Sequence, residues 1–252
     1  VNLGALVAGT ALSYLLARKA LTPIERAMEK QDRFASDASH ELRTPLAAMQ
    51  SEIEVTLRDK KMTVKEAREV LESNLDEVKK MTTISSALLS LAHSENQTQE
   101  FSKHEVSSLI NQAVEDTKNI ASEKNIVMQI DASDDLFVFG DQYKLKQLFV
   151  IVLDNAIKYS ETNASVLVTS KAATKSVQID FADSGIGIDQ CELGLIFDRF
   201  YRSDSSRTNS QKDGYGLGLS IAKNIVDLHK GSIQALNNKQ KGTIIRIFLP
   251  IK

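Results

Sequence analysis

The sequence has very little of what builds disulfide-linked or metal-clustered proteins. Cys191 is its only cysteine, and one thiol cannot form an internal disulfide or a cysteine metal cluster, which fits a reducing cytosol. The four histidines, at positions 40, 93, 104 and 229, show no metal-ligand spacing. An excess of one charge is also lacking, since 31 Lys and Arg stand against 33 Asp and Glu. Bulk nucleic-acid binding is therefore not expected.

The N-terminal stretch is the exception in an otherwise soluble pattern. Residues 1–17 carry no charge, and Arg18, Lys19 and Arg26 follow them. As a helix this stretch would span roughly 25 Å, near the lower limit for crossing a bilayer. The sequence opens with Val, so we expect a fragment of a longer membrane protein, with 1–17 ending a transmembrane helix and 18–33 forming a juxtamembrane helical linker. The following basic residues predict that the rest is cytoplasmic; the alternative is the start of a buried amphipathic helix.

Two long amphipathic helices are predicted next, the first from Thr22 and Pro23 to about Asp59 and the second from Thr63 to about His93. Thr22 and Pro23 indicate a helix start, and Pro45 should kink the helix because it lacks an amide hydrogen. Thr63 and Glu66 form a capping box that opens the second helix, which should end near residue 93. The apolar residues of the two helices recur at helical spacing: Ile24, Met28, Ala35, Ala38, Leu42, Met49 and Ile53, then Val70, Leu71, Leu75, Val78, Met81, Leu88 and Leu91. A hairpin alone cannot bury both stripes, so we predict a homodimeric four-helix bundle.

One histidine lies off the apolar stripe of the first helix. His40 is two positions from both Ala38 and Leu42, about 200° of rotation, so its imidazole should face water. Glu41 is adjacent and Thr44 lies one turn on. Neutral imidazole is a nucleophile near pH 7, and Glu41 can take its second proton. The alternative is a solvated surface pair without function.

After a polar linker at 95–99, residues 100–252 mix helices and strands. Helices are predicted at 106–124, 141–160 and 217–229, and strands at 126–130, 136–140, 164–171, 176–182, 232–236 and 243–250. This order predicts an α/β sandwich, one sheet covered on one face by helices. A polar loop of 14 residues at 202–215 is long enough for a lid.

Three clusters in this second domain have ligand-binding chemistry. Asp154-Asn155-Ala156-Ile157-Lys158-Tyr159 combines an amide, an ammonium and a phenol near a helix end. Asp183-Ser184-Gly185-Ile186-Gly187 follows a strand, where glycines allow a close backbone approach. Gly214-Tyr215-Gly216-Leu217-Gly218-Leu219 leads into a helix whose free amides can face a phosphate. The last cluster is not a P-loop, because no Gly-Lys-Ser/Thr follows.

Taken in order, these motifs resemble those of the sensor histidine kinases of two-component systems. Ser39-His40-Glu41-Leu42-Arg43-Thr44-Pro45-Leu46 resembles the H box, and the three clusters resemble the N, G1 and G2 boxes. Phe197-Asp198-Arg199-Phe200-Tyr201-Arg202 is similar to the F box. The resemblance covers residues 24–252. It implies a dimerisation and histidine phosphotransfer domain at 34–94 and a catalytic ATP-binding domain of the Bergerat, or GHKL, type at 100–252.

The resemblance also implies the residue roles. His40 would be phosphorylated, Glu41 would be the general base, and Thr44 would help to place water in phosphatase chemistry. Asn155 would hold Mg²⁺ and Asp183, in the G1 turn of Gly185 and Gly187, would bind the adenine amino group. The other nucleotide-binding residues would be Tyr159 on the adenine, Lys158, Tyr201 and Arg202 at the phosphates, and the backbone of Gly214, Gly216, Leu217, Gly218 and Leu219.

Two departures from the family pattern stand out. Ile151 occupies the position of a second asparagine, and 17–34 is too short for the signalling module that often precedes the hairpin. The predicted function is a kinase that autophosphorylates His40 from Mg-ATP, passes the phosphoryl group to an aspartate of a response regulator, and also acts as its phosphatase. The alternatives are a GHKL-type ATPase clamp, for which Asp154 could activate water, and a catalytically silent dimeric scaffold.

Overall fold

The chain divides into two units, Val1–Met81 and Thr82–Lys252, in a computed structural model that describes residues 3–59, 61–92, 101–202, 215–238 and 241–251. The first unit holds helix α1 (Leu3–Arg58) and most of helix α2 (Val64–Ala92). Among the described residues, no helix is both long enough and apolar enough to cross a membrane.

Helix α1 runs through both of its prolines, so the helix start predicted at Thr22 and Pro23 is wrong. Each proline removes one amide, but the turns on either side keep their hydrogen bonds. A threonine precedes each proline and donates its hydroxyl to the carbonyl four residues back, Thr22 to Arg18 at 2.7 Å and Thr44 to His40 at 3.3 Å. The kink at Pro45 stays a prediction.

Helix α2 begins at the predicted capping box. The Thr63 amide donates to Glu66 Oε2 at 2.7 Å, and the Glu66 amide donates to Thr63 Oγ1 at 3.3 Å. These reciprocal bonds satisfy amides that a helix start leaves without partners, which explains why the helix begins here.

Burial along the hairpin only partly follows the predicted stripes. On α1 Ala38 is buried and Leu42 and Met49 are half-buried, but Met28 and Ile53 are exposed. The half-buried positions of α1 continue through Glu52 to Thr56, alternating spacings of four and three. Ile53 lies one position, or about 100°, off this line.

The described part of the second unit contains seven strands and three further helices. In chain order these are β1 (Ser102–Glu105), α3 (Val106–Glu123), β2 (Val127–Ala132), β3 (Phe137–Gly140), α4 (Gln142–Tyr159), β4 (Ser165–Ala172), β5 (Ser176–Asp183), a 3-10 turn (Leu195–Phe197), α5 (Gly218–Leu228), β6 (Ser232–Asn237) and β7 (Thr243–Pro250). The main sheet has the order β2-β4-β5-β7-β6, with β2 and β4 parallel and the other neighbours antiparallel. Strands β1 and β3 form a separate antiparallel pair.

The core lies between the sheet and its helices. On β7 every second residue is buried, namely Thr243, Ile245, Ile247 and Leu249. Helix α4 crosses this face with Leu148, Phe149 and Val152 fully buried, and the rings of Phe149 and Phe181 lie 5.7 Å apart. The predicted α/β sandwich is confirmed, and α4 and β5 bring the ends that carry the polar clusters to one place.

Candidate functional site

His40 lies on the solvent side of α1, as predicted. Its side chain and that of Glu41 are exposed, whereas Ala38 is 9% exposed. Thr44 is exposed one turn later and bonds the His40 carbonyl. An accessible imidazole beside a carboxylate can attack an electrophile that another part of the protein presents.

The aspartate at the end of β5 is the buried polar centre of the second unit. Asp183 is 7% exposed, and its Oδ1 accepts from the amides of Gly185 at 2.8 Å and Thr243 at 3.0 Å. Burial raises the pKa of Asp183, and these two hydrogen bonds oppose the rise. A buried carboxylate can accept a hydrogen bond from an amino group with little competition from water.

Helix α4 and the turn after β5 meet at two glycines of that turn. A Cβ on Gly185 would lie 2.5 Å from the Tyr159 carbonyl oxygen, so only glycine lets the turn approach the end of α4 this closely. Gly187 has a φ of +77°, in the left-handed region. The predicted N and G1 boxes are therefore in direct contact.

Asn155 lies one turn before the end of α4. Its Nδ2 donates to the Ile151 carbonyl at 2.8 Å, which leaves Oδ1 as the atom that could ligate a cation. A Cβ on Gly218 would lie 3.4 Å from this Nδ2, so the first residue of α5 lies against Asn155. The N box is thus brought next to the G2 box.

The F and G2 boxes hold each other through their backbones. The Phe200 amide donates to the Gly216 carbonyl at 2.9 Å, and Gly216 has a φ of +66°. Leu217 is buried and Leu219 is half-buried at the start of α5. Gly214 and most of the predicted lid lie outside the described residues.

The predicted phosphate and adenine contacts are half-buried side chains around this cluster. Lys158 places its Nζ 5.6 Å from the Tyr159 ring centroid. The Tyr201 hydroxyl donates to Glu192 Oε1 at 2.7 Å and so already has a protein partner. Arg202 follows Tyr201 in the chain.

Asp154, the first residue of the same cluster on α4, has a shifted pKa. Burial raises the pKa of Asp154, and the charges of Lys158 and Lys124 oppose the rise.

Three residues at this site, Asn238, Gly242 and Thr243, were not predicted from the sequence. Gly242 has a φ of +100°, and a Cβ there would collide with the Asp183 carbonyl. Thr243 donates its amide to the Asp183 side chain, and Asn238 Nδ2 donates to the Asp183 carbonyl at 3.1 Å. A glycine directly before a predicted strand was the available signal, but its partner lies about sixty residues away and depends on the pairing of β5 with β7.

Two family models match the chain in the order of its two predicted domains. The His Kinase A (phospho-acceptor) domain matches residues 30–97. The histidine kinase-, DNA gyrase B- and HSP90-like ATPase family matches residues 140–252. The first match contains His40, and the second contains the Asn155 and Asp183 cluster.

Two curated relatives align with most of the chain. Sensor protein CiaH of Streptococcus pneumoniae is 38% identical over 240 residues, covering 95% of this chain and 54% of the relative. The signal transduction histidine-protein kinase ArlS of Staphylococcus epidermidis is 34% identical over 230 residues, covering 90% and 50%. The chain therefore spans about half the length of the curated relatives it matches.

A solved structure with the same fold is the histidine kinase ThkA in complex with the response regulator TrrA. It has a TM-score of 0.70 at 21% identity and covers 92% of this chain and 67% of that one. The two ordered family matches and the homology to CiaH and ArlS agree with the geometry of the site, and the chain therefore belongs to the sensor histidine kinases, with a phospho-acceptor domain followed by an ATP-binding domain.

Proposed function

We propose that this chain transfers the γ-phosphoryl group of ATP to His40, passes it to an aspartate of a response regulator, and also dephosphorylates that regulator. The observation that carries the proposal is the exposed imidazole of His40, beside Glu41, in a chain whose second unit gathers Asn155, Gly185 and Gly218 around one cluster.

The two ends of the nucleotide would be bound by different kinds of group. A carboxylate and an aromatic ring would bind the adenine, and positively charged side chains would bind the phosphates. The buried Asp183 carboxylate suits the adenine amino group, and the Tyr159 ring suits the flat face of the base. Lys158 and Arg202 would pair with the phosphates, with Tyr201 beside them, and the amides of 216–219 would lie at the positive end of the α5 dipole. Gly214, which continues this motif, is part of the same proposal.

Mg²⁺ fits the site through Asn155, whose amide nitrogen is occupied by the Ile151 carbonyl and whose oxygen is a suitable hard ligand. When bound, the ion would supply positive charge beside the phosphates. Other ligands would come from the phosphates and water, as is common for Mg²⁺.

The transfer itself needs few protein groups. A ring nitrogen of His40 attacks the γ-phosphorus in line, a nitrogen–phosphorus bond forms, and the bond to the bridging oxygen of ADP breaks. Glu41 takes the proton that the imidazole releases. In the phosphatase reaction, Thr44 would help to position the water that removes the phosphoryl group from the response regulator.

The exposed surface of the first unit and the comparison with ThkA support two partners, a second copy of the chain and a response regulator. Leu71, Leu75 and Val78 of α2 are exposed, and a second copy of the chain would cover them in a four-helix bundle. The complex of ThkA with a response regulator supports such a regulator as the acceptor.

The domain boundaries are part of the proposal. We assign 34–94 to phosphotransfer, 95–99 to a linker and 100–252 to ATP binding. Residues 1–17 would form the end of a transmembrane helix that holds the full-length protein in the cell membrane. Residues 18–33 would form the juxtamembrane helix.

Incubation with γ-labelled ATP tests the proposal. We expect acid-labile, alkali-stable label that His40→Gln abolishes and that His104→Gln, a control in the second unit, retains. Phosphate release without labelled protein would support an ATPase clamp, and neither label nor hydrolysis would support a silent scaffold. Either result would overturn the kinase proposal.

A further inference from the structure

The end of α4 is capped by a lysine from a different helix. Lys124, the C-cap residue of α3, donates its Nζ to the carbonyls of Ile157 at 3.0 Å and Lys158 at 2.8 Å. A helix end leaves its last carbonyls without amide partners and carries a partial negative charge. One ammonium group here satisfies two of these oxygens and opposes that charge.

The two neighbouring carbonyls of this helix end have different surroundings. The Ala156 carbonyl accepts from the amide of Ser160 at 3.2 Å and from its hydroxyl at 2.7 Å. The Tyr159 carbonyl oxygen lies where a Cβ on Gly185 would be 2.5 Å away. The carbonyls that Lys124 holds therefore come directly before the one on which the Asp183–Gly185 turn rests.

Lys124 is itself fixed in place. Its carbonyl accepts from the Asn163 amide at 3.0 Å, and the Val127 amide donates to the Ala164 carbonyl at 3.0 Å. The segment around Lys124 is thus tied to the segment that follows α4 through both backbone and side chain. The backbone bonds keep the Lys124 main chain beside the end of α4, within reach of the two carbonyls that its ammonium group binds.

We infer that Lys124 is a positioning residue for the nucleotide pocket. It holds the last turn of α4, with Asn155, Lys158 and Tyr159, against the turn that carries Asp183, so that both halves of the pocket have their spacing before ATP arrives. Pre-organisation of this kind lowers the cost of binding. The inference rests on the proposed function, because it assigns these groups to ATP.

Three variants test it: Lys124→Met, which keeps the apolar stem and removes the charge, Lys124→Arg, which can still donate to two carbonyls, and Lys118→Met. Lys118 is on the same helix, is 62% exposed and pairs with Glu115 at 3.3 Å, so its loss should leave nucleotide binding unchanged. The readouts are the KM for ATP and kcat of autophosphorylation, and the Kd for Mg-ADP by calorimetry.

We expect Lys124→Met to raise KM and Kd about tenfold, with kcat at saturating ATP within about twofold of the wild type. Lys124→Arg should recover most of the affinity. A purely structural role would lower Tm and the active fraction, and hence kcat, without changing KM, and that result would overturn the inference. If Lys124→Met does not fold, Lys124→Gln replaces it, and an unchanged Kd in that variant has the same meaning.

The failure of this inference can be told apart from the failure of the proposed function. A wild-type chain that does not bind Mg-ADP contradicts the proposed function. A wild-type chain that binds Mg-ADP, with Lys124→Met binding equally well, contradicts only the role of Lys124.

Discussion

The two units use their apolar side chains in opposite ways. In the second unit α4 buries Leu145, Leu148 and Phe149 completely. In the first unit Leu71 is 69% exposed and Leu75 is 54% exposed. The ATP-binding unit therefore completes its core within one chain, whereas the helical hairpin needs another surface to cover its stripe.

The candidate reactive groups of the two units also differ in exposure. His40 is exposed on the hairpin, while Asp183 is buried at the end of β5. A group that must meet an ATP and then a separate regulator has to be accessible to both. A group that only recognises a base gains from a dry, fixed environment. Under the proposed function, the first unit would serve association and phosphotransfer, and the second unit would select the ligand.

The largest expected effect is on assembly. The double change Leu71→Glu and Val78→Glu places two charges on the exposed stripe of α2 and should convert a dimer into a monomer, with the mass falling to about half. Val127→Glu is the matched control, because Val127 is 57% exposed on β2 of the second unit. Light scattering after gel filtration measures both, and a dimer that survives the double change would contradict the assignment of this stripe to the interface.

Next in size is the loss of nucleotide recognition. Asp183→Asn keeps an oxygen for the amides of Gly185 and Thr243 but removes the charge that would accept from adenine. We expect the Kd for ATP to rise about 10- to 100-fold, the worth of a charge-assisted hydrogen bond. Asp180→Asn is the control on the same strand, since Asp180 pairs with Arg246 at 2.7 Å instead. Equal affinity in the two variants, measured by calorimetry, would remove Asp183 from the pocket.

Replacing each of two glycines by alanine shows whether a strained, crowded backbone position costs more stability than an open one. Gly242→Ala would push a Cβ into the Asp183 carbonyl at a φ of +100°, whereas a Cβ on Gly194 meets nothing within 4 Å. We expect Gly242→Ala to lower the free energy of unfolding by about 2 kcal/mol and Gly194→Ala to change it by less than about 0.5 kcal/mol. Urea unfolding followed by circular dichroism measures both, and similar values would show that the close approach is not needed.

The smallest expected effect is a dependence on pH. Because burial raises the pKa of Asp183, the carboxylate should take up a proton at a higher pH than an exposed aspartate, and the affinity for ATP should decrease as pH falls through that range. For stability the sign is opposite. The charged form weakens the fold at a pH above this raised pKa, and protonation relieves the cost as pH falls. Calorimetry across pH should show a steeper loss for the wild type than for Asp183→Asn, and parallel curves would contradict this.

Much of the fold could be predicted because the elements carry strong local patterns. The alternation of Thr243–Pro250 gave β7 with its observed bounds, and the pairing of Thr63 with Glu66 gave the start of α2. Strand β1 was missed because Ser102–Glu105 has four residues without alternation and forms through its pairing with β3. The helix start at Thr22 and Pro23 was wrong because a proline signal is local, while the helix is held by the turns around it.

Some residues of the candidate site could also be predicted from local sequence, and others could not. Asp183, Gly185 and Gly187 could be found because glycines follow a strand within a few residues. Thr243 and Lys124 could not, since their contacts join segments 60 and 33 or 34 residues apart. Only the sheet register and the packing of α3 beside α4 bring those atoms together.

We propose that ATP bound by the second unit phosphorylates the exposed imidazole of His40 on the first unit. Tandem mass spectrometry of the chain after incubation with Mg-ATP, kept at alkaline pH to preserve a phosphoramidate, tests it directly. We expect a phosphoryl group on His40 that is absent in Asp183→Asn at low ATP and restored at high ATP. Phosphate on a different residue, or none on a chain that binds ATP, would contradict it.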